Sequence, residues 1–186
     1  MASNLNDFIH KYENVLEPKI CDFLIDIFDK NQDKQEKINN NRKPNFTQLN
    51  LTQNIKLSEE ITNIHNYIVS KVFVYKKKYY KFAGENFFPD KFNLEEFRIK
   101  KYNNSGDEAF DTHVDVQDYS SSRRFLSFLW YLNDVHNGGE TVFNSLVIKP
   151  KVGTMIIFPP TWMFPHCGLA PISNSKYIMS TYLHYI

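Results

Sequence analysis

RFLSFLWYL (124–132), TVFNSLVI (141–148), GTMIIF (153–158) and KYIMSTYLHYI (176–186) are the stretches that decide the architecture. Each is short and dense in β-branched and aromatic residues. Turn residues set them apart, Asn137-Gly138-Gly139 and Lys151-Val152-Gly153 among them. With FNLEEFRIKKY (92–102) they form a punctuated series that indicates an antiparallel sandwich or barrel rather than βαβ units. Along the last stretch two sets alternate, Lys176, Ile178 and Ser180 against Tyr177, Met179 and Thr181. A lysine can therefore share an inward face with apolar neighbours.

The first ninety residues have a different period. In EPKICDFLIDIFDK (17–30), Ile20, Phe23, Leu24, Ile27 and Phe28 fall three and four apart, one apolar helix face, and Pro18 suits the first turn. A second helix is predicted from Ser58, with Glu59 and Glu60 in the dipole-favoured first turn and Ile61, Ile64, Ile68 and Val72 as its buried stripe. Between them NQDKQEKINNNRKPN (31–45) is polar and broken by Pro44, and reads as a mobile loop. KKKYYK (76–81) reads as a solvated basic face. The outline is one domain over 1–186, with 1–91 a helical part supporting a β core at 92–186.

Composition bounds the chemistry. The chain has 186 residues, 42% of them hydrophobic and 23% charged, which is ordinary globular usage. Lys plus Arg (22) nearly cancels Asp plus Glu (21), so no global basic field favours nucleic acid or an anionic membrane. The two cysteines, Cys21 and Cys167, exclude a disulfide scaffold and a cysteine-based zinc site. No apolar run approaches the roughly 18 residues of a membrane span. The start, MASNLNDFIHKYENVL, lacks the order of a signal peptide, so a soluble cytoplasmic chain is expected. Sixteen Phe and eleven Tyr against six Gly foretell an aromatic-packed core.

Six histidines are present: His10, His65, His113, His136, His166 and His184. In His113-Val114-Asp115 the imidazole and carboxylate can point the same way from an extended segment. With one distant histidine they would make a two-His-one-carboxylate triad, which leaves metal positions open and suits non-haem Fe(II) oxygenases. Alone, an H-x-D is a weak signal.

Its surroundings are not. After it come Tyr131-Leu132-Asn133, Gly138-Gly139-Glu140-Thr141 with Phe143, Pro150 to Phe158, His166-Cys167-Gly168, and Lys176 ten residues beyond His166. This order, from Tyr102 to His184, resembles the prolyl 4-hydroxylase-like branch of the Fe(II)/2-oxoglutarate-dependent dioxygenases. The resemblance implies a mainly β (α+β) fold, a double-stranded β-helix or jelly roll with N-terminal supporting helices. It implies that His113, Asp115 and His166 are the iron ligands, and that Lys176 pairs with the distal carboxylate of 2-oxoglutarate. Thr141 and Tyr102 match positions lining the cosubstrate pocket. Tyr131 is a further candidate there, with Trp130 able to take the facing position instead. The family sets its Tyr slightly closer to the H-x-D than Tyr102 lies, and commonly has a Trp where this chain has Tyr182.

The implied reaction uses Fe(II), 2-oxoglutarate and O2, with ascorbate as reductant, and yields succinate, CO2 and a hydroxylated product. The expected substrate is a peptidyl residue, proline first. A small molecule or free amino acid is the alternative, and a non-catalytic binding module of the same fold is a third reading. Nucleobase demethylation is disfavoured because the chain lacks an Arg-rich C-terminal motif and a basic field. Ser120-Ser121-Ser122 reads as a flexible loop able to cover the site, and loops 76–91 and 116–123 are the expected walls of a peptide groove. Arg98, Arg123 and Trp162 are candidates for the barrel mouth, Cys167 for a buried filler. His10, His65, His136 and His184 receive no role.

Overall fold

The computed structural model describes residues 4–40 and 44–186. In chain order its regular elements are β1 (His10–Tyr12), α1 (Pro18–Lys30), β2 (Gln35–Asn39), β3 (Asn45–Asn50), α2 (Glu59–Ala83), β4 (Phe92–Leu94) and β5 (Arg98–Tyr102). They continue with β6 (Phe110–His113), β7 (Arg124–Tyr131), β8 (Thr141–Phe143), β9 (Leu146–Ile148), β10 (Met155–Phe158), β11 (His166–Gly168) and β12 (Lys176–Tyr185).

The strands make two antiparallel sheets. The larger runs β1-β10-β7-β12-β5-β3-β2, with β4 on the far end of β12; the smaller runs β6-β11-β8-β9. This is the jelly-roll arrangement expected of the motifs. Period-two alternation on β7 and β12 decides what each face of the larger sheet does. Leu126, Phe128, Trp130, Met179 and Leu183 turn outward into a cluster with Leu24 and Phe28 of α1 and Ile68, Val72 and Tyr79 of α2. Tyr131 and Ile178 turn inward and pack with Phe46, Tyr102, Phe143, Ile156 and Phe158 between the sheets. Each fully buried side chain of this size contributes on the order of 1.5–3 kcal/mol.

The helices begin where their caps require. Pro18 stands at the start of α1, and the Ser58 hydroxyl accepts from the Ile61 N–H at 3.1 Å at the start of α2. Ile61, Ile68 and Val72 are buried as the stripe predicts, and Ile64 is partly so. Gly153, at φ +72°, turns the chain into β10 so tightly that its carbonyl accepts from both Val15 and Leu16 N–H. This contact stitches the N-terminal segment to the β half.

Two expectations need correction. The first ninety residues are not purely helical, because β1, β2 and β3 belong to the larger sheet. Residues 35–39, read as loop, pair with 45–49 along a full ladder. β2 is an edge strand with polar side chains on both faces, so its partner is the backbone and no apolar alternation announces it. Residues 41–43 of that stretch lie outside the described residues. The supposed loop 76–91 begins as the last two turns of α2, which stops at Gly84. No helix among the described residues is long and apolar enough to cross a membrane.

Candidate active site

The smaller sheet builds the centre of the site through its register. β6 and β11 pair so that His113 stands directly opposite His166, although fifty-three positions separate them in sequence. Their rings lie 4.4 Å apart, centroid to centroid. Asp115, two residues past His113, brings its Oδ1 to 3.6 Å from His113 Nε2 and 3.9 Å from His166 Nε2. One ligand atom from each residue falls within a set whose members all lie within 4.8 Å of one another.

Both histidines are held in a single tautomer. His113 Nδ1 lies 2.8 Å from the Asp111 carbonyl and His166 Nδ1 lies 3.1 Å from the Phe164 carbonyl. A carbonyl only accepts, so each Nδ1 carries the proton and each Nε2 presents its lone pair to the centre. Burial pushes His166 below its ordinary pKa, which keeps that imidazole neutral. For Asp115, burial works to raise the carboxyl, but its contact with His113, the nearby His166 and Lys100 prevail and hold it below the usual range. Two imidazoles whose far nitrogens are tied to the backbone, together with one carboxylate, would hold a divalent metal such as Fe(II) and leave room for further ligands.

Packing and one ion pair fix the pieces. Phe110 stacks flat on His113, and Phe143 and Phe158 flank His166. Arg124 is clamped bidentately by Glu95 at 2.8 and 3.0 Å, lies over the Tyr182 ring, and donates to the Asp115 carbonyl at 3.0 Å. It thereby anchors the backbone that presents the carboxylate. The sequence displayed Arg124 only as the first residue of a strand; its reach to the H-x-D depends on a β7–β12 register that the sequence does not state.

An inner cavity extends from the three residues to Lys176, between Tyr102, Phe110, Leu129, Thr141, Phe158 and Ile178. Lys176 is 2% exposed, and its ammonium has only carbonyl acceptors, Gly139 O at 3.0 Å and Leu169 O at 3.3 Å, with the Tyr102 ring 4.5 Å away. Burial pushes its pKa down to about 8. Gly139, at φ +76°, lets the turn approach so closely that an added Cβ would come within 3.3 Å of the lysine shaft. A buried cation without a carboxylate, at the end of a cavity, fits one end of a dicarboxylate.

Tyr102, across from Lys176 in the β5–β12 register, and Thr141 both line this cavity. Tyr131 adjoins this lining, its hydroxyl donating to Thr141 Oγ1 at 2.7 Å. Trp130 cannot replace it there, since it points to the helix side of the sheet. Lys100, on the inward face of β5, is a lining residue that the sequence did not single out.

A second cavity adjoins the first at the same centre, lined by Arg98, Lys100, Gln117, Asp118, Ser120, Ser121 and Arg124 with His113 and Asp115. Segment 116–123 therefore reaches the site as expected. Ser120–Ser122 is a hydrogen-bonded turn rather than a loose loop, because the Asp118 carboxylate accepts from the Ser121 N–H and from both Ser120 and Ser121 hydroxyls. Residues 76–91 do not reach it; several of them line a separate depression with Phe73. Arg98 stands at the mouth, Arg123 is exposed, and Tyr119 and Trp162 are 95% and 78% exposed on segments tied by the Val116 N–H to the Pro160 carbonyl. Cys167 is half-buried and unpaired.

Comparison with known proteins agrees with this geometry. A sequence model described as the 2OG-Fe(II) oxygenase superfamily matches residues 97–184. A search of curated proteins by sequence finds no match. Among solved structures, a viral collagen prolyl hydroxylase from Paramecium Bursaria Chlorella virus-1, described as a 2OG complex, superposes with a TM-score of 0.73 at 21% identity, covering 96% of this chain and 97% of its own. A prolyl hydroxylase from Trichoplax adhaerens, in complex with a hypoxia inducible factor oxygen degradation domain peptide fragment, gives 0.72 at 15% identity, covering 95% and 83%. A Pseudomonas putida prolyl-4-hydroxylase gives 0.60 at 13%, covering 96% and 93%. At these identities the likeness is one of fold.

Proposed function

We propose that the chain, whose residues 97–184 match the 2OG-Fe(II) oxygenase superfamily, hydroxylates a peptidyl residue, proline first. In this reading His113, Asp115 and His166 hold Fe(II), and Lys176 holds the distal carboxylate of 2-oxoglutarate. When bound, the metal supplies O2 activation coupled to decarboxylation of 2-oxoglutarate to succinate and CO2, with one oxygen delivered to the substrate. Ascorbate serves as the reductant that keeps the metal ferrous.

The protein's part is orientation and exclusion. Lys176 neutralises the far end of the cosubstrate at a depth where an unpaired carboxylate would be costly. Thr141, fixed by the Tyr131 hydroxyl, and Tyr102 flank the cosubstrate. Phe110, Leu129, Phe158 and Ile178 keep water from it. Arg124 holds the Asp115 backbone in place while charge at the centre changes.

The observation that carries the peptide reading is the second cavity, beside the His113–Asp115 pair and bordered by residues 117–121, with Tyr119 and Trp162 exposed on its flanking segments. A compact small-molecule pocket would have those aromatics folded over it. Fold neighbours named as prolyl hydroxylases, one with a bound peptide, support proline as the first choice.

The test combines purified protein, Fe(II), 2-oxoglutarate, ascorbate and a pool of proline-containing peptides, with succinate and peptide mass followed together. One added oxygen mapped to proline is expected. Succinate without any modified peptide would overturn the peptide reading and direct the search to small molecules. If 2-oxoglutarate binds but no succinate forms under any condition, the fold serves as a non-catalytic binding module.

A further inference from the structure

We propose that Lys100 is a specificity-determining residue whose ammonium docks a carboxylate of the substrate, beside the atom to be oxidised. The inference rests on the oxygenase reading above and names a chemical class for its substrate: an acidic group adjoining the target.

Lys100 sits on β5 between Arg98 and Tyr102, all three on the inward face, and pairs in register with Gln48 on one side and Ile178 on the other. It is the cation common to both cavities. Lys176 lines the inner cavity and not the outer one; Arg98 and Arg124 line the outer and not the inner. Lys100 therefore stands where the two cavities meet at the metal-binding cluster, on the route from the outer cavity to the inner one.

The other cations of the site are already engaged. Arg98 meets Glu96 at 2.8 Å, Arg124 is clamped by Glu95, and Lys176 donates to two carbonyls. Among the described residues, Lys100 has neither a carboxylate within ion-pair distance nor a hydrogen-bond acceptor; its recorded contact is the Phe46 ring face at 5.2 Å. Asp115 attracts it at longer range, while Arg98 and Arg124 repel it. Asp115 is also the carboxylate of the metal-binding cluster, so it is not free to pair with Lys100. A half-buried ammonium in such a field is stabilised by an arriving anion. Ser180, which also lines both cavities, supplies a hydroxyl to share the load.

The experiment compares wild type, Lys100→Met and Lys100→Arg. Capped peptides that differ only in Glu or Gln beside proline are titrated into protein loaded with Mn(II) and 2-oxoglutarate, and binding is read calorimetrically. Wild type is expected to favour the Glu peptide about tenfold, Lys100→Met to lose the preference, and Lys100→Arg to recover part of it. Circular dichroism and the melting temperature certify that each variant is folded, and 2-oxoglutarate affinity is read in all three. Equal binding of the two peptides by wild type, or binding of neither, overturns the proposal, as does a preference that survives in Lys100→Met. A loss of 2-oxoglutarate affinity in Lys100→Met also overturns it, because the cation would then serve the cosubstrate. Wild type that fails to bind 2-oxoglutarate at all would instead sink the oxygenase reading, a result distinct from these.

Discussion

Replacing Lys176 by Met removes one charge and little volume, and the structure says what should follow. The ammonium is 2% exposed and its pKa is pushed from 10.5 down to about 8. Holding it protonated at neutral pH thus costs the free protein about 3 kcal/mol. A dicarboxylate recovers part of that cost when it adds a charge-assisted bond, worth about 1.5–3 kcal/mol. Lys176→Met should therefore weaken 2-oxoglutarate binding by about 10- to 150-fold. The free variant should still fold, because relief of the buried charge offsets the loss of bonds to the Gly139 and Leu169 carbonyls.

Anaerobic calorimetry with Fe(II)-loaded protein reads the affinity, and its pH dependence adds a second check. The free enzyme loses the Lys176 proton near pH 8, whereas the bound carboxylate raises that pKa. Wild-type affinity should be level below about pH 8 and fall above it, by up to tenfold per pH unit; the variant's should not depend on pH there. For stability the sign is opposite: the unfolded chain keeps this proton up to about 10.5, so Lys176 makes the free protein more stable as pH rises from about 8. A variant that binds 2-oxoglutarate within threefold of wild type would remove Lys176 from the cosubstrate site.

Three further outcomes are expected. His166→Ala should abolish Fe(II)-dependent succinate formation and lower bound iron by metal analysis; unchanged iron content with retained turnover would mean that the triad is wrongly assigned. Tyr131→Phe deletes a buried 2.7 Å bond to Thr141 and should cost about 1 kcal/mol in chemical denaturation. Gly153→Ala would place a Cβ 2.2 Å from the Leu16 carbonyl oxygen at a φ of +72°, and should destabilise by more than about 2 kcal/mol, read as a lower melting temperature or insoluble expression.

The cluster was legible from sequence because its parts are chemically scarce and keep a fixed order: an H-x-D, a Gly-Gly turn, a second His and a Lys at a set interval. The inward phase of Lys176, Ile178 and Ser180 also followed from alternation alone, and the cavity lining bears it out. What escaped notice depended on pairing across the fold. β2 shows no apolar period because its ladder to β3 is a backbone affair at a sheet edge. Lys100 looked like an ordinary lysine, since only its place on the inward face of β5, opposite Ile178, brings it to both cavities. Tyr131 has the strand and face the sequence suggested, but its bond to Thr141 joins two strands of different sheets, which no residue spacing encodes.

The His113–His166 register also bears on how the protein is made. His113 and His166 come opposite one another only when β6 and β11 pair across fifty-three positions of sequence, and β1 near the start pairs with β10. Pairings this remote close late, because the entropy of a long loop must be overcome first. The cluster therefore depends on a non-local pairing that the folded sheet alone provides. An ion held by all three residues would favour the folded chain over the unfolded one by mass action, and so act as a lock on that pairing.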